Sequence, residues 1–538
     1  MARRINWIAP GDINAFFGLT LDNVANLLLI VGLLSTLYNF PASFAVRWMV
    51  PGTALGVLLG DLLYFWMALE LAKKSGRSDV TAMPLGLDTP STFGMVFFVL
   101  GPAFREAQSR TLDELQAATY AWHIGMCSLF YSGLFKMACA LVSNWVRQRI
   151  PRAGLLGSLA AIALVLISFL PLMDILAYPV VGMLSLAIIL TTLVARVPFP
   201  GRWPGAMAAV VVAGALYYLL RAFGAIPPPE SAGFEPSEAW FPTEWLAAFG
   251  LQWMEALPEA ARYLPIVLPF ALGTVVGGID CTESAAAAGD EYPTGKIIGV
   301  EALATLVAAF CGGVIQTTPY IGHPAYKAMG GRAAYTLATA LFVGGAGLIG
   351  YFGYLYIWIP KAAAFPILIF VGLEITAQSF HAVPRRHYTA VALACVPALA
   401  FLALNFAEQV LSHTGKTFDQ LGDEALQRNL MTLRLLSNGF IVTSLIWASA
   451  LAAIVDRRLT LAGSYFAVAA VLTLFGVIHS PLPGGAAFLP WSLAPADRHW
   501  VFQYATAYAV ASGTFFLWSW WLATTPEGAE PADHGPNS

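Results

Sequence analysis

Long apolar stretches follow one another along the chain, each about 20 residues, the length a helix needs to cross the hydrocarbon core. In the first half they run near 17–40, 50–73, 118–145, 153–170, 173–195 and 203–222. In the second half they run near 262–287, 294–314, 333–356, 362–380, 388–405 and 432–455. Two more follow, near 460–478 and 500–523. The pattern breaks twice. Segment 81–101 carries Pro84-Leu-Gly-Leu-Asp-Thr-Pro-Ser-Thr92, and segment 316–331 carries Gln316-Thr-Thr-Pro-Tyr-Ile-Gly-His323. Each places hydroxyls and a helix-breaking proline where a span should run. In hydrocarbon such irregularity is tolerated only where it is buried in protein or lines a polar cavity. A matched pair in two halves of one membrane protein points to a transport site.

Counting each broken segment as one crossing gives seven elements, then seven more, then two. Seven is odd, so the second copy enters from the opposite side, as an inverted repeat. Faint echoes recur in order: Pro51-Gly-Thr53 against Pro293-Thr-Gly295, and Asp22-Asn23 in the first element against Asp280 in the eighth. The expected fold is an all-α polytopic membrane protein with discontinuous third and tenth elements. Its expected parts are a cytoplasmic segment 1–16, a first repeat 17–222, an acidic extracytoplasmic loop 223–261 and a second repeat 262–455. Two extra helices, 456–523, and a disordered polar tail, 524–538, complete it.

Composition agrees. Of 538 residues 58% are hydrophobic and 11% charged, against about a quarter charged in a soluble protein. Charge placement fixes the sidedness. With the N-terminus inside, Lys73, Lys74, Arg77, Arg147, Arg149, Arg152, Arg385, Arg386, Arg457 and Arg458 all fall inside. The loop 224–261 falls outside; it carries Glu230, Glu235, Glu238, Glu244, Glu255 and Glu259 and no Lys or Arg. This works only if both broken segments cross. The N-terminus lacks a signal peptide's apolar run and cleavage site. The five cysteines have no metal-ligand spacing and read as small core residues. No Walker loop, dinucleotide fingerprint or His-Glu-x-x-His is present, so neither an enzyme nor ATP coupling is expected, and no metal, cofactor or nucleic-acid partner.

Proline removes a donor and biases the preceding residue toward extended backbone. Thr89 and Thr318 are therefore expected to be extended, each with a short helix after it. Helix starts expose unpaired N–H groups and a positive dipole end, so two of them near mid-membrane suit a polar or anionic solute. Asp88, Thr89, Ser91, Thr92, Thr318 and Tyr320 are the candidate contacts. The alternative is a pair of kinked spans with local Ser and Thr bonding. Asp280 and Glu283 stand one helical turn apart in the eighth element and share a face. Two adjacent carboxylates in a cavity resist double ionisation, which suits proton coupling; a cap at Asp280 is the structural alternative. His323 is a further candidate for bonding solute or a proton, or a satisfied residue at the pocket edge. Asp22 and Asn23 are candidates for lining the cavity. Glu301 and Glu374 read as ion-paired or interfacial, near Lys296 and Lys361, and Lys136 as snorkelling from a span end.

These motifs resemble the nucleobase–ascorbate permeases, most closely the branch carrying adenine, guanine and hypoxanthine. Ala82-Met-Pro-Leu-Gly-Leu-Asp-Thr89 is similar to the family's third-element segment, with Asp88 at its Asn position. Ile279-Asp-Cys-Thr-Glu283 is similar to its eighth-element acidic motif. Thr317-Thr-Pro-Tyr-Ile-Gly-His323, with Gly330-Gly-Arg332, is similar to the tenth. The resemblance spans about 17–455. It departs where the family's tenth-element glutamate is Gly322, and in the two extra helices. It implies a core of elements 1–4 and 8–11, a gate of 5–7 and 12–14, a possible homodimer through the gate, and proton symport of a planar nucleobase across the inner membrane, driven by a proton gradient. An anion carrier of the related sulfate and bicarbonate superfamily, and a non-transporting scaffold or receptor, are the competing readings.

Overall fold

Each uninterrupted apolar stretch is helical, and each interrupted one is a three-residue strand followed by a helix. A computed structural model describes residues 6–524, apart from 111–112, 142–151, 228–233, 321, 382, 415–420, 483–484 and 486–487. The basic residues Arg147 and Arg149 and the tail from 525 lie outside the described residues.

The first repeat holds α1 (Gly11–Tyr38) and α2 (Val50–Ser75), then β1 (Leu85–Leu87) leading into α3 (Thr89–Met95). A π turn, Val96–Leu100, carries α3 on into Gly101–Ser109. Then come α4 (Glu114–Leu141), α5 (Arg152–Ile162, continued to Leu176), α6 (Pro179–Ile189) and α7 (Gly205–Ala222). The second repeat holds α8 (Leu264–Ala287), α9 (Thr294–Phe310), β2 (Thr317–Pro319) with α10 (His323–Ala328), and α11 (Ala334–Leu348, bent into Phe352–Trp358). It closes with α12 (Lys361–Ala364, continued from Pro366 to His381), α13 (Tyr388–Thr414) and α14 (Phe440–Val455). The extra helices are α15 (Leu459–Leu474) and α16 (Pro495–Thr524). By length and apolarity eight helices among the described residues qualify as spans, and ten when two bent pairs each count once. The protein is an all-α polytopic membrane protein.

Local chemistry sets the ends. Asn39 closes α1 in the left-handed region, with Pro41 just beyond. Gly76 closes α2 in the same way, with Lys73 and Lys74 in the last turn complementing the dipole. The inverted repeat shows in the packing: α2 lies against α11, and its counterpart α9 lies against α4. Small residues permit this. A Cβ on Gly52 would sit 2.1 Å from the Cys311 carbonyl oxygen, so α2 touches the backbone leading to β2.

Residues 1–149 and 166–374 form one compact unit; residues 150–165 and 375–538 form a second. The division runs through the middle of α5 and α12. In the first unit the start of α12 packs on α6 and α7; in the second the start of α5 packs on α13 and α14.

Candidate functional site

The two breaks meet. β1 and β2 pair antiparallel, Leu85 opposite Pro319, Gly86 opposite Thr318 and Leu87 opposite Thr317. Asp88 N–H to the Gln316 carbonyl (3.0 Å) and Tyr320 N–H to the Pro84 carbonyl (2.9 Å) extend the ladder at both ends. A two-stranded sheet has two open edges, and in a membrane interior each edge group needs a partner. On the β1 edge the Leu85 N–H donates to Asp61 Oδ1 (3.1 Å) and the Leu87 N–H to Asn23 Oδ1 (2.9 Å). On the β2 edge the Thr317 N–H donates to Thr305 Oγ1 (3.3 Å), and Pro319 has no N–H to satisfy. The Thr317 carbonyl accepts from Lys136 Nζ (2.8 Å), and the Pro319 carbonyl from Cys281 Sγ (3.4 Å). Helices α1, α2, α4, α8 and α9 thus each lend a side chain to the crossing.

After β1 the chain turns helical at once. Asp88 is extended (φ −77°, ψ 106°) and caps α3, its Oδ2 accepting the Ser91 N–H at 2.9 Å. The helix includes Thr89, with Pro90 in its first turn, so the extended residue is Asp88 and not Thr89 as the proline rule suggested. An N-terminal position tolerates proline because its N–H would be free anyway. The Ser91 and Thr92 hydroxyls bond back to the Asp88 carbonyl, at 3.1 and 2.9 Å. Gln316 Nε2 reaches Asp88 Oδ2 at 3.4 Å, and Gln316 Oε1 accepts from Ser132 Oγ at 2.6 Å. Thr318 and Tyr320 are half-buried, and the Tyr320 ring stacks on Tyr326.

Lys136 does not snorkel. It is fully buried and forms a 2.8 Å ion pair with the equally buried Glu301, which therefore pairs with α4 and not with Lys296. Asp22 and Asp61 are also buried, and Asp22 Oδ1 and Asp61 Oδ2 have no hydrogen-bond partner. Four buried carboxylates (Asp22, Asp61, Asp88 and Glu301) surround this crossing with one buried ammonium among the described residues. Glu283 is half-buried on α8; Asp280 lies three residues before it on the same helix, its side chain outside the described residues.

His323 belongs to a separate group of charges. It is fully buried, with Nε2 3.2 Å from the Thr81 carbonyl and 3.3 Å from Asp290 Oδ2. Asp290 also takes Lys327 Nζ at 2.6 Å, Arg77 at 3.2 Å and the Thr81 N–H at 3.0 Å. These contacts tie the α2–β1 link to the α8–α9 loop and to α10, at the end assigned to the inside. They hold the Asp290 carboxyl below its ordinary range: burial pushes it up, and the bonds from His323, Lys327 and Thr81 outweigh that. The structure therefore brings Asp88, Ser91 and Thr92 together and puts His323 in this second network.

Sequence reasoning missed Asp61, Ser128, Ser132, Asp290 and Gln316 as partners, and it set Glu301 near Lys296 rather than Lys136. One signal was available: Ser128, Ser132 and Lys136 recur every four residues and so share one face of α4. Among the described residues no group of three His, Cys, Asp or Glu side chains could hold a metal ion.

No protein-family profile matches the chain, and no curated protein matches it. Solved structures do. The transmembrane domain of the cyanobacterium bicarbonate transporter BicA matches with TM-score 0.45 and 13% identity, over 81% of this chain and 96% of that one. The murine anion transporter Slc26a9 in its inward-facing state matches with TM-score 0.42 and 11% identity, over 76% and 69%. The overall structure of SLC26A9 matches with TM-score 0.40 and 10% identity, over 74% and 65%. These matches correct the resemblance drawn from the three motifs. The nucleobase–ascorbate permease family and the purine cargo that went with it are not retained. Short motifs around a proline break report the break and not the cargo.

Proposed function

We propose that the chain is a secondary transporter, not an enzyme, carrying a small anion together with a proton across the inner membrane through the β1–β2 crossing. One observation carries the reading: the crossing already holds carboxylates on donors. Ser91 N–H and Gln316 Nε2 converge on Asp88, and Lys136 Nζ converges on Glu301. Groups that satisfy a buried carboxylate satisfy a solute oxyanion by the same geometry. The excess of buried acids excludes passage of the anion alone, because unpaired intramembrane charge is costly. A proton taken up with the anion restores the balance. In this reading Asp280 and Glu283 are further proton-handling candidates, and Thr318 and Tyr320 remain candidate contacts on the β2 side.

The test is uptake of labelled bicarbonate, sulfate and chloride into proteoliposomes, with and without an inside-alkaline pH gradient. Saturable uptake stimulated by the gradient is expected for at least one anion. Uptake equal to that of empty liposomes for all three would sink the reading.

A further inference from the structure

We infer that Asp88 is a tethered competitor for the transported anion: the solute gains the Ser91 N–H and Gln316 Nε2 donors only when the Asp88 carboxylate takes a proton and gives them up. This rests on the anion reading above and names the coupling residue within it.

The geometry is specific. Beside Asp88 lies a cavity of about 20 Å³, room for one water-sized group, lined by Ser91, Met95, Ser128, Ser132, Phe270 and Gln316 among others. Ser128 is fully buried there, and its Oγ has no hydrogen-bond partner. Ser91 and Gln316, two of the lining residues, each spend a donor on one oxygen, Asp88 Oδ2, and leave the cavity wall apolar. A solute anion arriving next to an ionised Asp88 would place two negative charges on two shared donors.

The neighbours cannot absorb that charge. Lys136, facing from α4, is committed to Glu301 and to the Thr317 carbonyl. Glu301 from α9 and Asp22 from α1 are within electrostatic reach of Asp88, and neither offers a positive charge. Gln316 and Thr317 of β2 are neutral, and α8 meets α3 through Phe270 packed on Gly94; the Asp280 side chain lies outside the described residues. Protonation is the balanced step. The Asp88 carboxylate accepts one proton to become a carboxylic acid, the donors are released, and the anion takes them. Release reverses each change, so one proton travels with each anion.

Two experiments test this. In lightly buffered detergent solution containing a pH-sensitive dye, chloride, sulfate or formate is added to the purified full chain, and bound anion is measured in parallel. The proposal expects one proton taken up per anion bound, whatever the anion's charge, because Asp88 has one site to protonate. In proteoliposomes the wild type accumulates a monovalent anion about tenfold per unit of imposed pH gradient, the ratio that one coupled proton sets. Asp88→Asn, which cannot titrate, is expected to accumulate none, and whatever exchange it retains is independent of pH. Anion binding by the wild type without proton uptake overturns the proposal while leaving the anion reading standing, as does gradient-driven accumulation by Asp88→Asn. No binding and no uptake of any probe by the wild type removes both.

Discussion

At the scale of single residues, the crossing depends on one buried lysine. Lys136 neutralises Glu301 and holds the Thr317 carbonyl, which has lost any strand partner on that side. Removing one member of a buried ion pair strands the other at a cost of about 3–5 kcal/mol, whereas replacing both by apolar groups is often neutral. Lys136→Met is therefore expected to lower the melting temperature in detergent sharply, and Lys136→Met with Glu301→Leu to recover most of the loss. A double mutant no better than the single would mean that the bond to Thr317, rather than the ion pair, carries the effect. Asp88 was legible in the sequence as a polar residue at a break. Its partner Gln316 was visible only as part of the other break, because the expectation that the two breaks face each other gives no strand register between them. Lys136 was misread for a plain reason. A lysine near a span end snorkels by default, and only the carboxylate on a distant helix keeps this one inside.

At the scale of elements, close helix contact and buried polar links do the positioning. Gly52 lets α2 reach the backbone before β2, and a methyl group there has no room: its nearest neighbour would be the rigid Cys311 carbonyl at 2.1 Å. Gly52→Ala should force α2 away from β2 at a cost of about 1–3 kcal/mol or more. Faster amide hydrogen exchange in residues 311–319 would report it. Gly86→Ala, whose Cβ would make an ordinary 3.5 Å contact with Asp22 Oδ2, should be far milder.

The extra helices are joined in a similar way. His479, in the link between α15 and α16, lies within hydrogen-bond distance of the Leu435 carbonyl through Nδ1 and of the Tyr508 hydroxyl through Nε2. Trp447 Nε1 donates to the same hydroxyl. Burial, only partly offset by the Leu435 bond, lowers the His479 pKa from 6.5 to about 4. The unfolded chain thus binds the proton first, and the stability held above pH 6.5 is lost as pH falls from 6.5 toward 4. His479→Gln is expected to be less stable at neutral pH but to show a flatter melting profile across that window. An equally steep profile would place the titrating group elsewhere.

At the scale of the whole molecule, the sidedness expected from the sequence rests on where the basic clusters sit and requires each of the two strand–helix segments to cross once. Single cysteines introduced in a cysteine-free background at Ser75 and Arg457 should react with an impermeant maleimide only from the inside, and one at Ser237 only from the outside. Labelling of Ser75 and Arg457 from opposite faces would show that one broken segment does not cross. The sequence by itself determined the class of protein, the places of its long apolar helices, and the two points at which helix gives way. Those properties are local: apolar length, proline chemistry and loop charge need no partner to act. Tertiary structure alone decided that the two breaks form one sheet, that Lys136 is a buried counter-ion, and that His323 joins Asp290 rather than Asp88. Each is a meeting of groups far apart in the chain, and such meetings depend on how the two repeats interlock, which no local pattern encodes.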